Sequence, residues 1–370
     1  MKAVLLAPEF AATDGGIQRI LRLYLRALAE DPAITSLVLV ALNDTPEQLA
    51  RLPLSAAPTV HGKPLAVIGA SGSKQVFTRA AWNAASGASR IICGHVAQLP
   101  VAAVALRPGA RLAFVAHGIE VWQTLPAAQR IALSRVDRIF CVSRYTRDRL
   151  AENHPLIRRR LRIVPNALDP ILLEGPAPWV APINKAPVVL CVGRLCAADA
   201  YKGYDLLLRA FARMPRSALP HRMGLEPRLH FVGEGDDLAR LRALAAKLHI
   251  ADRVEFRGRL SDDALREAFA DCSCFALPST GEGFGLVYLE AMAAGRPCVG
   301  VRASAVPELV TPEVGLLAPP DDPAALADTL AECLSRFWNP AELRRHALKH
   351  TYPHLVAALT AAWKEASGKE

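Results

Sequence analysis

A glycine-rich turn between an apolar run and a helical run most narrows what this chain can fold into. The apolar residues 274–277 (Cys-Phe-Ala-Leu) are followed directly by Pro-Ser-Thr-Gly-Glu-Gly-Phe-Gly. A run with helical character then extends from Leu286 to Ala294. Gly295 and Pro297 end it, because a glycine just past a helix and a proline beyond it are typical stop signals. The stretch therefore predicts a strand, a glycine-rich loop and a helix in succession.

The same alternation of strand and helix runs through the whole chain. Continuous apolar strands that alternate with helices indicate parallel, doubly wound sheets, so the predicted fold class is α/β. In the first half we expect strands at 3–7, 36–42, 65–68, 90–94, 112–115 and 138–142, with helices at 17–30 and 75–85. In the second half we expect strands at 188–193, 228–232, 254–257, 274–277 and 297–301, with helices at 205–213, 238–248, 262–270, 286–294, 323–334, 340–349 and 355–366.

Length and proline content divide the chain near its middle. The 370 residues exceed one typical domain, and prolines are concentrated just before the strand at 188–193. We expect an N-terminal domain at 1–170, a linker at 171–187, a C-terminal domain at 188–350 and a final helical segment at 351–370.

Composition indicates a globular, reduced, non-spanning protein. Hydrophobic residues make up 52% of the chain and charged residues 21%, which is ample for a core. The apolar runs are shorter than the roughly 18–20 residues of a spanning helix, and the N-terminal apolar run is better explained as a first buried strand than as a signal peptide. The eight cysteines show no C-x-x-C spacing, so we expect buried thiols rather than metal ligands or disulfides. These features predict a cytoplasmic protein.

Charge is unevenly distributed along the chain. Residues 1–180 hold 21 Lys and Arg against 12 Asp and Glu, whereas the remainder is balanced, so the net charge of +9 belongs to the first half. A basic lobe favours a polyanionic partner: a membrane surface, a lipid diphosphate or nucleic acid. The basic clusters are Arg19, Arg22 and Arg26 on one helix, and Arg158–Arg160 with Arg162. A solvated face would explain either cluster alone. Together they favour anionic lipid, and we expect no nucleic acid because no aromatics are interleaved.

The glycine-rich turn has the chemistry of a ligand site. Gly283 and Gly285 allow close approach to backbone amides where a helix begins, which suits phosphates or sugar hydroxyls. Glu282 precedes the helix and Glu290 lies in its second turn. Alone, they would be read as a surface loop residue and an ordinary helix glutamate.

Three further positions lie where predicted strands end, and parallel sheets bind ligands at that edge. Gly15 and Gly16 follow the first strand and form either a phosphate loop or a simple tight turn. His117 ends another strand, although a lone histidine is often structural. Arg194 and Lys202 follow the strand at 188–193 and could neutralise a diphosphate, or could be solvated. The residues between them set how far Lys202 reaches.

Residues 276–298 (Ala-Leu-Pro-Ser-Thr-Gly-Glu-Gly-Phe-Gly-Leu-Val-Tyr-Leu-Glu-Ala-Met-Ala-Ala-Gly-Arg-Pro-Cys) resemble the donor-binding signature of retaining glycosyltransferases of family 4 (glycosyl transferases group 1), whose E-x7-E motif Glu282 and Glu290 would form. The resemblance implies a GT-B fold. In that fold, two Rossmann-like doubly wound domains face each other across a cleft, and the C-terminal helix crosses back to the first domain.

The resemblance also implies residue roles, all of them expectations here. Glu282, His117, Arg194 and Lys202 would be catalytic. The N-terminal domain would bind the acceptor, and the C-terminal domain the nucleotide-diphosphate sugar. Donor-binding residues would be Gly15, Gly16, Arg194, Lys202, Gly233, Glu234, Arg259, Leu260, Glu282, Gly283, Phe284, Gly285, Leu286 and Glu290. No metal and no cofactor besides the donor substrate would be needed.

The function implied is a retaining, metal-independent hexosyltransferase of bacterial polysaccharide or lipopolysaccharide biosynthesis. We expect GDP-mannose as the donor before UDP-hexoses, and a lipid-diphosphate-linked saccharide as the acceptor. We also expect peripheral attachment to the inner face of the bacterial cytoplasmic membrane. Two alternatives stay open: a synthase with a soluble sugar acceptor, and a catalytically silent nucleotide-sugar-binding subunit.

Overall fold

The computed structural model describes residues 1–12, 15–51, 62–173, 186–214 and 226–364. Most of the predicted linker at 171–187 lies outside these residues. Residues 1–169 and the segment from Tyr352 form one compact unit, here called unit 1, and Pro170–Thr351 form unit 2. The final segment begins one residue later than predicted, and the described start of the linker is grouped with unit 2.

Each unit is built on one parallel sheet. Within the described residues, unit 1 holds seven strands in the order β3-β2-β1-β4-β5-β6-β7, and unit 2 holds six in the order β10-β9-β8-β11-β12-β13. Both orders run outwards in two directions from a central pair, which is the doubly wound arrangement. The predicted α/β fold class is therefore confirmed. The strands are β1 (Lys2–Ala7), β2 (Ser36–Ala41), β3 (Leu65–Gly69), β4 (Ala88–Cys93), β5 (Arg111–Ala116), β6 (Arg138–Cys141), β7 (Leu161–Ile163), β8 (Val188–Val192), β9 (Arg228–Val232), β10 (Val254–Phe256), β11 (Cys274–Ala276), β12 (Cys298–Val301) and β13 (Gly315–Ala318).

Helices connect successive strands and cover the sheets. None of the described helices is long and apolar enough to span a bilayer. The helices are α1 (Gly16–Glu30), α2 (Pro46–Ala50), α3 (Lys74–Ala84), α4 (Leu99–Ala105), α5 (Ala127–Leu133), α6 (Arg144–Asn153), α7 (Tyr204–Arg213), α8 (Leu238–Lys247), α9 (Asp262–Asp271), α10 (Leu286–Ala293), α11 (Val306–Leu309), α12 (Pro323–Ser335), α13 (Pro340–Ala347) and α14 (Tyr352–Lys364).

Sequence patterning misses the short and the polar elements. The edge strand β7 has only three residues and places Arg162 between two apolar residues, so no apolar run announces it. Helix α6 carries few apolar residues and is marked instead by its cap, since the Ser143 hydroxyl accepts a hydrogen bond from the Thr146 amide at 3.1 Å. Strand β13 and helices α2, α4, α5 and α11 are also absent from the predicted set.

Helix α14 closes unit 1 through aromatic contacts. The buried Trp363 ring lies edge-on to Phe140 of β6, with ring centroids 5.6 Å apart, and the Arg90 guanidinium lies 5.2 Å from the Trp363 ring. At the other end of α14, the Tyr352 hydroxyl donates to Glu30 Oε2 at 2.7 Å. This helix is therefore part of the unit 1 core.

Replacement of Trp363 with alanine should destabilise unit 1 by about 3–5 kcal/mol, because a large buried ring leaves a cavity against Phe140. Hydrogen exchange should show lost protection in β6 and unchanged protection in β9. The matched control is Trp82→Ala, since the Trp82 ring is exposed and should cost far less. Equal loss of protection in β6 and β9 would contradict this account of α14.

Candidate functional site

The glycine-rich turn of unit 2 has the predicted strand, loop and helix. Gly285 precedes α10 in the left-handed region, with φ of 96°, which only glycine adopts freely. The buried Tyr288 hydroxyl donates to the carbonyl of Leu277 and ties the helix back to its strand. The buried Phe284 ring lies edge-on to His350, with ring centroids 5.5 Å apart. The start of α10 is therefore held from both sides.

Glu282 and Lys202 form an ion pair in this turn. Lys202 Nζ lies 3.1 Å from Glu282 Oε1, and their side chains are 16% and 12% exposed. The Glu282 amide donates to Ser304 Oγ at 3.1 Å, which fixes the backbone beneath the carboxylate. Burial alone would lower the pKa of the Lys202 ammonium, but the negative Glu282 outweighs burial and raises that pKa above its ordinary value. Lys202 is therefore a permanent cation at neutral pH.

The loop between β8 and α7 is fitted against the strand-end loop at 278–282. The Thr280 amide donates to the Tyr201 carbonyl at 2.8 Å. A Cβ at Gly203 would lie 2.4 Å from the Pro278 carbonyl oxygen, and a Cβ at Gly281 would lie 2.4 Å from the Tyr201 ring. Both positions need glycine because the two loops touch there. The loop residues between Arg194 and Lys202 therefore place the Lys202 ammonium next to the Glu282 carboxylate.

Arg194 is held by an aspartate that sequence reasoning missed. Arg194 Nη2 lies 3.0 Å from Asp199 Oδ2, although the arginine side chain is 75% exposed and the aspartate only 10%. The Tyr201 hydroxyl donates to the other Asp199 oxygen at 3.2 Å. An acidic residue between two cations in one loop was the available signal. Asp199 thus fixes one edge of the Arg194 guanidinium, and the rest of that side chain faces solvent.

The remaining donor-side candidates lie at neighbouring strand ends of unit 2. A Cβ at Gly233 would lie 1.9 Å from the Gly193 carbonyl oxygen, so the ends of β8 and β9 touch. The Leu195 amide donates to the Glu234 carbonyl at 2.9 Å. The Arg259 amide lies 3.4 Å from Glu234 Oε1, and Leu260 follows it in the loop after β10.

Glu290 lies in the second turn of α10 and is largely buried. The structure therefore places one group of candidates in the loops at the carboxyl edge of the unit 2 sheet and in the first two turns of α10. They are Arg194, Lys202, Gly233, Glu234, Arg259, Leu260, Glu282, Gly283, Phe284, Gly285, Leu286 and Glu290. Two cations beside a helix start suit an anionic ligand.

His117 and its neighbours form a separate cluster in unit 1. His117 Nε2 lies 2.8 Å from the Gly94 carbonyl oxygen, so this nitrogen carries the proton and leaves Nδ1 as an acceptor. Burial lowers the pKa of His117 to about 4, although the bond to Gly94 opposes that effect. Glu120 Oε1 accepts the amides of His117 at 2.6 Å and of Gly118 at 3.1 Å. His117 is therefore neutral at pH 7.

Gly15 and Gly16 begin α1, after the loop that follows β1. The buried carboxylate of Asp44 organises this loop by accepting the amides of Phe10, Ala11 and Ala12 at 2.7, 2.7 and 2.5 Å. Sequence reasoning missed Asp44, which has no neighbouring motif. The described part of the loop before α1 is thus held by Asp44, which lies just after the adjacent strand β2.

Among the described residues, no group of three or more His, Cys, Asp or Glu side chains is placed to hold a metal ion.

Two protein-family models match this chain. The model for glycosyl transferases group 1 matches residues 186–336, and the model for glycosyltransferase family 4 matches residues 14–171. Among curated relatives, a D-inositol 3-phosphate glycosyltransferase from Mycolicibacterium smegmatis is 31% identical over 63% of this chain and 54% of its own length. A GDP-mannose-dependent alpha-(1-6)-phosphatidylinositol monomannoside mannosyltransferase from the same organism is 33% identical over 56% of each chain. The match therefore spans little more than half the length of these relatives.

Solved structures share the fold over nearly the full length. Anabaena Alr3699/HepE in complex with UDP has a TM-score of 0.76 at 19% identity, covering 99% of this chain and 100% of its own. Sucrose-phosphate synthase from Thermosynechococcus elongatus has a TM-score of 0.75 at 20% identity, covering 99% of each. The lipopolysaccharide outer core galactosyltransferase WaaB, in its apo form, has a TM-score of 0.72 at 15% identity, also covering 99% of each.

The two family models cover most of both units, and the full-length structural matches have the fold that the resemblance in residues 276–298 implied. The chain accordingly belongs to the group 1, family 4 glycosyltransferases and has their GT-B fold.

Proposed function

We propose that this protein transfers a hexose from a nucleotide-diphosphate sugar to a saccharide acceptor, as a retaining hexosyltransferase that needs neither a metal ion nor a further cofactor. The observation that carries the proposal is the ion pair of Lys202 with Glu282 at 3.1 Å, in the same loop system as the outward-facing Arg194. This pair brings a cation of the β8–α7 loop and a carboxylate of the glycine-rich turn to one place.

Electrostatic stabilisation of the leaving group is the main catalytic device in this proposal. When the sugar–phosphate bond breaks, negative charge grows on the departing diphosphate. Arg194 and Lys202 supply positive charge to it. The raised pKa of Lys202 means that this charge does not depend on pH near neutrality.

The carboxylates and backbone amides of unit 2 hold the donor. Glu282 and the amides of Phe284 and Gly285 bind sugar hydroxyls, and Glu290 binds the ribose. The nucleotide lies against the strand ends that carry Gly233, Glu234, Arg259 and Leu260, with Gly283 and Leu286 completing the turn. In unit 1, the amides at Gly15 and Gly16 bind phosphate.

His117 acts as a neutral hydrogen-bond acceptor rather than as a cation. Its Nε2 proton is committed to Gly94 at 2.8 Å, and its pKa of about 4 keeps the ring uncharged at pH 7. Nδ1 therefore accepts a hydroxyl of the transferred sugar. A cationic role for this histidine does not fit its burial.

The relatives support GDP-mannose first and UDP-hexoses second as donors. One relative is described as GDP-mannose-dependent, with a phosphatidylinositol monomannoside acceptor, and one structural neighbour contains UDP. We propose a lipid-linked saccharide acceptor of bacterial polysaccharide or lipopolysaccharide assembly, bound by unit 1. The protein would then work in the cytoplasm, attached peripherally to the inner face of the cytoplasmic membrane.

A soluble acceptor is the second candidate. Two similar proteins are described as a D-inositol 3-phosphate glycosyltransferase and a sucrose-phosphate synthase, names that contain small phosphorylated compounds. This alternative predicts full turnover with free acceptors and no gain from lipid.

A donor panel tests the proposed function. GDP-mannose, UDP-glucose and related nucleotide sugars should be screened by thermal shift, and the best binder assayed for nucleotide release with lipid-linked and free acceptors. Lys202→Met should lower kcat by about 100- to 1,000-fold, because it removes the positive charge that stabilises the leaving diphosphate. The control is Lys247→Met at the end of α8, which should leave kcat unchanged. Failure of every donor to bind would reject the proposal, and donor binding without any turnover would favour a silent binding subunit.

Asp199 should act on the donor through Arg194. Arg194→Gln should weaken binding of the nucleoside diphosphate about 10- to 100-fold, because it removes a charge-assisted hydrogen bond. Asp199→Asn should weaken binding less, since it releases one edge of the guanidinium. In the Arg194→Gln background, Asp199→Asn should have no further effect on binding of the nucleoside diphosphate. Titration calorimetry on the four proteins measures the cycle, and additive losses would show that Asp199 does not work through Arg194.

His117 variants separate the two ring nitrogens. Asn reproduces an acceptor near Nδ1, whereas Gln reproduces only the donor to Gly94, so His117→Asn should retain more activity than His117→Gln. A histidine with a folded pKa near 4 and an unfolded value of 6.5 loses about 3 kcal/mol of stabilisation as the pH falls through that window. Urea unfolding should therefore show that the free energy of unfolding changes less with pH between 4.5 and 7 in His117→Gln than in the wild type. An unchanged pH dependence of the unfolding free energy in His117→Gln would contradict the buried neutral ring.

A further inference from the structure

Among the described large hydrophobic residues of unit 1, two aliphatic side chains are the most exposed. Leu156 is 97% exposed and Ile131 is 70% exposed. Leu156 lies in the short 3₁₀ helix Pro155–Arg160, and Ile131 lies in α5. Neither residue contributes to the core of unit 1, so their apolar character has no use inside the fold.

Contacts at both ends bring the segments that carry these two residues next to each other. Arg160 Nη1 donates to the carbonyls of Ser134 at 2.6 Å and Val136 at 3.0 Å, which joins one end of the 3₁₀ helix to the residues after α5. At its other end, partial burial and the charge of Arg130 lower the pKa of His154, so Arg130 is close to that end. Segments 130–136 and 154–160 therefore run side by side.

Exposed arginines lie close in sequence to both aliphatic residues. Arg130, Arg135, Arg158 and Arg159 are all exposed. Asp148 lies near Arg158, but its carboxylate is already 2.7 Å from Arg147 Nε. We call Ile131, Leu156 and these four arginines the Leu156 surface.

The basic face of α1 is less available than the sequence suggested. Arg26 is bound to Glu30 at 2.8 Å and covers the Tyr352 ring at 4.3 Å. Arg19 and Arg22 are half-buried and each already has a partner within the protein. Of the two predicted clusters, the one at 158–162 has two neighbouring exposed arginines, Arg158 and Arg159, and it adjoins the exposed Leu156.

We propose that the Leu156 surface docks on an anionic phospholipid bilayer. Ile131 and Leu156 enter the headgroup region, and the four arginines contact lipid phosphates, as in basic amphipathic surfaces that lie in a membrane interface. Aliphatic side chains do not stack on nucleobases, so this combination fits lipid better than single-stranded nucleic acid. The inference rests on the peripheral membrane association proposed above and names the surface that produces it.

Flotation with vesicles of 30% phosphatidylglycerol and 70% phosphatidylcholine tests the proposal. Arg158→Gln with Arg159→Gln should lower the partition coefficient about 30-fold. Ile131→Ser with Leu156→Ser should lower it about tenfold. Matched controls on α3 are Val76→Ser and Arg79→Gln, whose side chains are also exposed and whose replacement should change nothing. Leu156→Trp should give a blue-shifted emission that brominated lipid quenches.

The outcomes separate this surface from the proposed activity. Thermal shift with the nucleotide sugar reports donor binding in every variant without lipid, so a failed donor screen with intact flotation rejects only the enzyme function. No flotation of the wild type at low salt would overturn the docking proposal. It would also be overturned if the arginine pair alone mattered and Leu156→Trp showed no quenching, because a polyanion bound without insertion is a different partner.

Discussion

The ion pair between Lys202 and Glu282 depends on two loops that touch at their backbones. A side chain at Gly203 would collide with the carbonyl of Pro278, and one at Gly281 would collide with the ring of Tyr201. Without that contact the two charges would each face water, where an ion pair contributes little. Both side chains are largely screened from solvent, and in this setting the Glu282 carboxylate raises the pKa of the Lys202 ammonium despite its burial. The proposed donor site of unit 2 therefore depends on close backbone packing as much as on charge.

Local sequence patterns predicted the parts of this site that are formed by consecutive residues. The run of apolar residues in β11, the glycines before α10 and the helix stop at Gly295 each have a strong local signal, and the structure has all three features. The contacts that tie distant loops together have no such signal. Asp44 is an ordinary loop aspartate in the sequence, and only the fold brings it to the amides of residues 10–12. Asp199 lies between Arg194 and Lys202 in one loop, which is a local signal, but the ion pair with Arg194 is seen only in the structure.

The fold was similarly readable where apolar runs were long. Strands β1, β2, β5 and β8 are nearly continuous runs of buried aliphatic residues, and their predicted bounds differ from the observed ones by one residue at most at either end. Short edge strands and polar helices such as β7 and α6 do not bury enough apolar surface to produce a pattern. They form because the neighbouring strand offers hydrogen bonds and because Ser143 caps the helix. Charge patterning overstated the basic face of α1, because Arg26 is paired with Glu30, which lies at the i,i+4 spacing of a helical ion pair.

Two carboxylates of unit 1 accept hydrogen bonds from backbone amides that a ligand could otherwise use. Free amides at the carboxyl ends of parallel strands attract anions, but Asp44 already accepts those of residues 10–12, and Glu120 accepts those of His117 and Gly118. Two amide clusters are thus occupied by carboxylates of the protein, and a phosphate would have to displace the buried Asp44 or the partly buried Glu120 to use them. The start of α1 at Gly15 and Gly16 has no side-chain cap, so its amides keep their positive dipole end. Phosphate binding in unit 1 should therefore be confined to that helix start, while His117 is left to contact an uncharged hydroxyl.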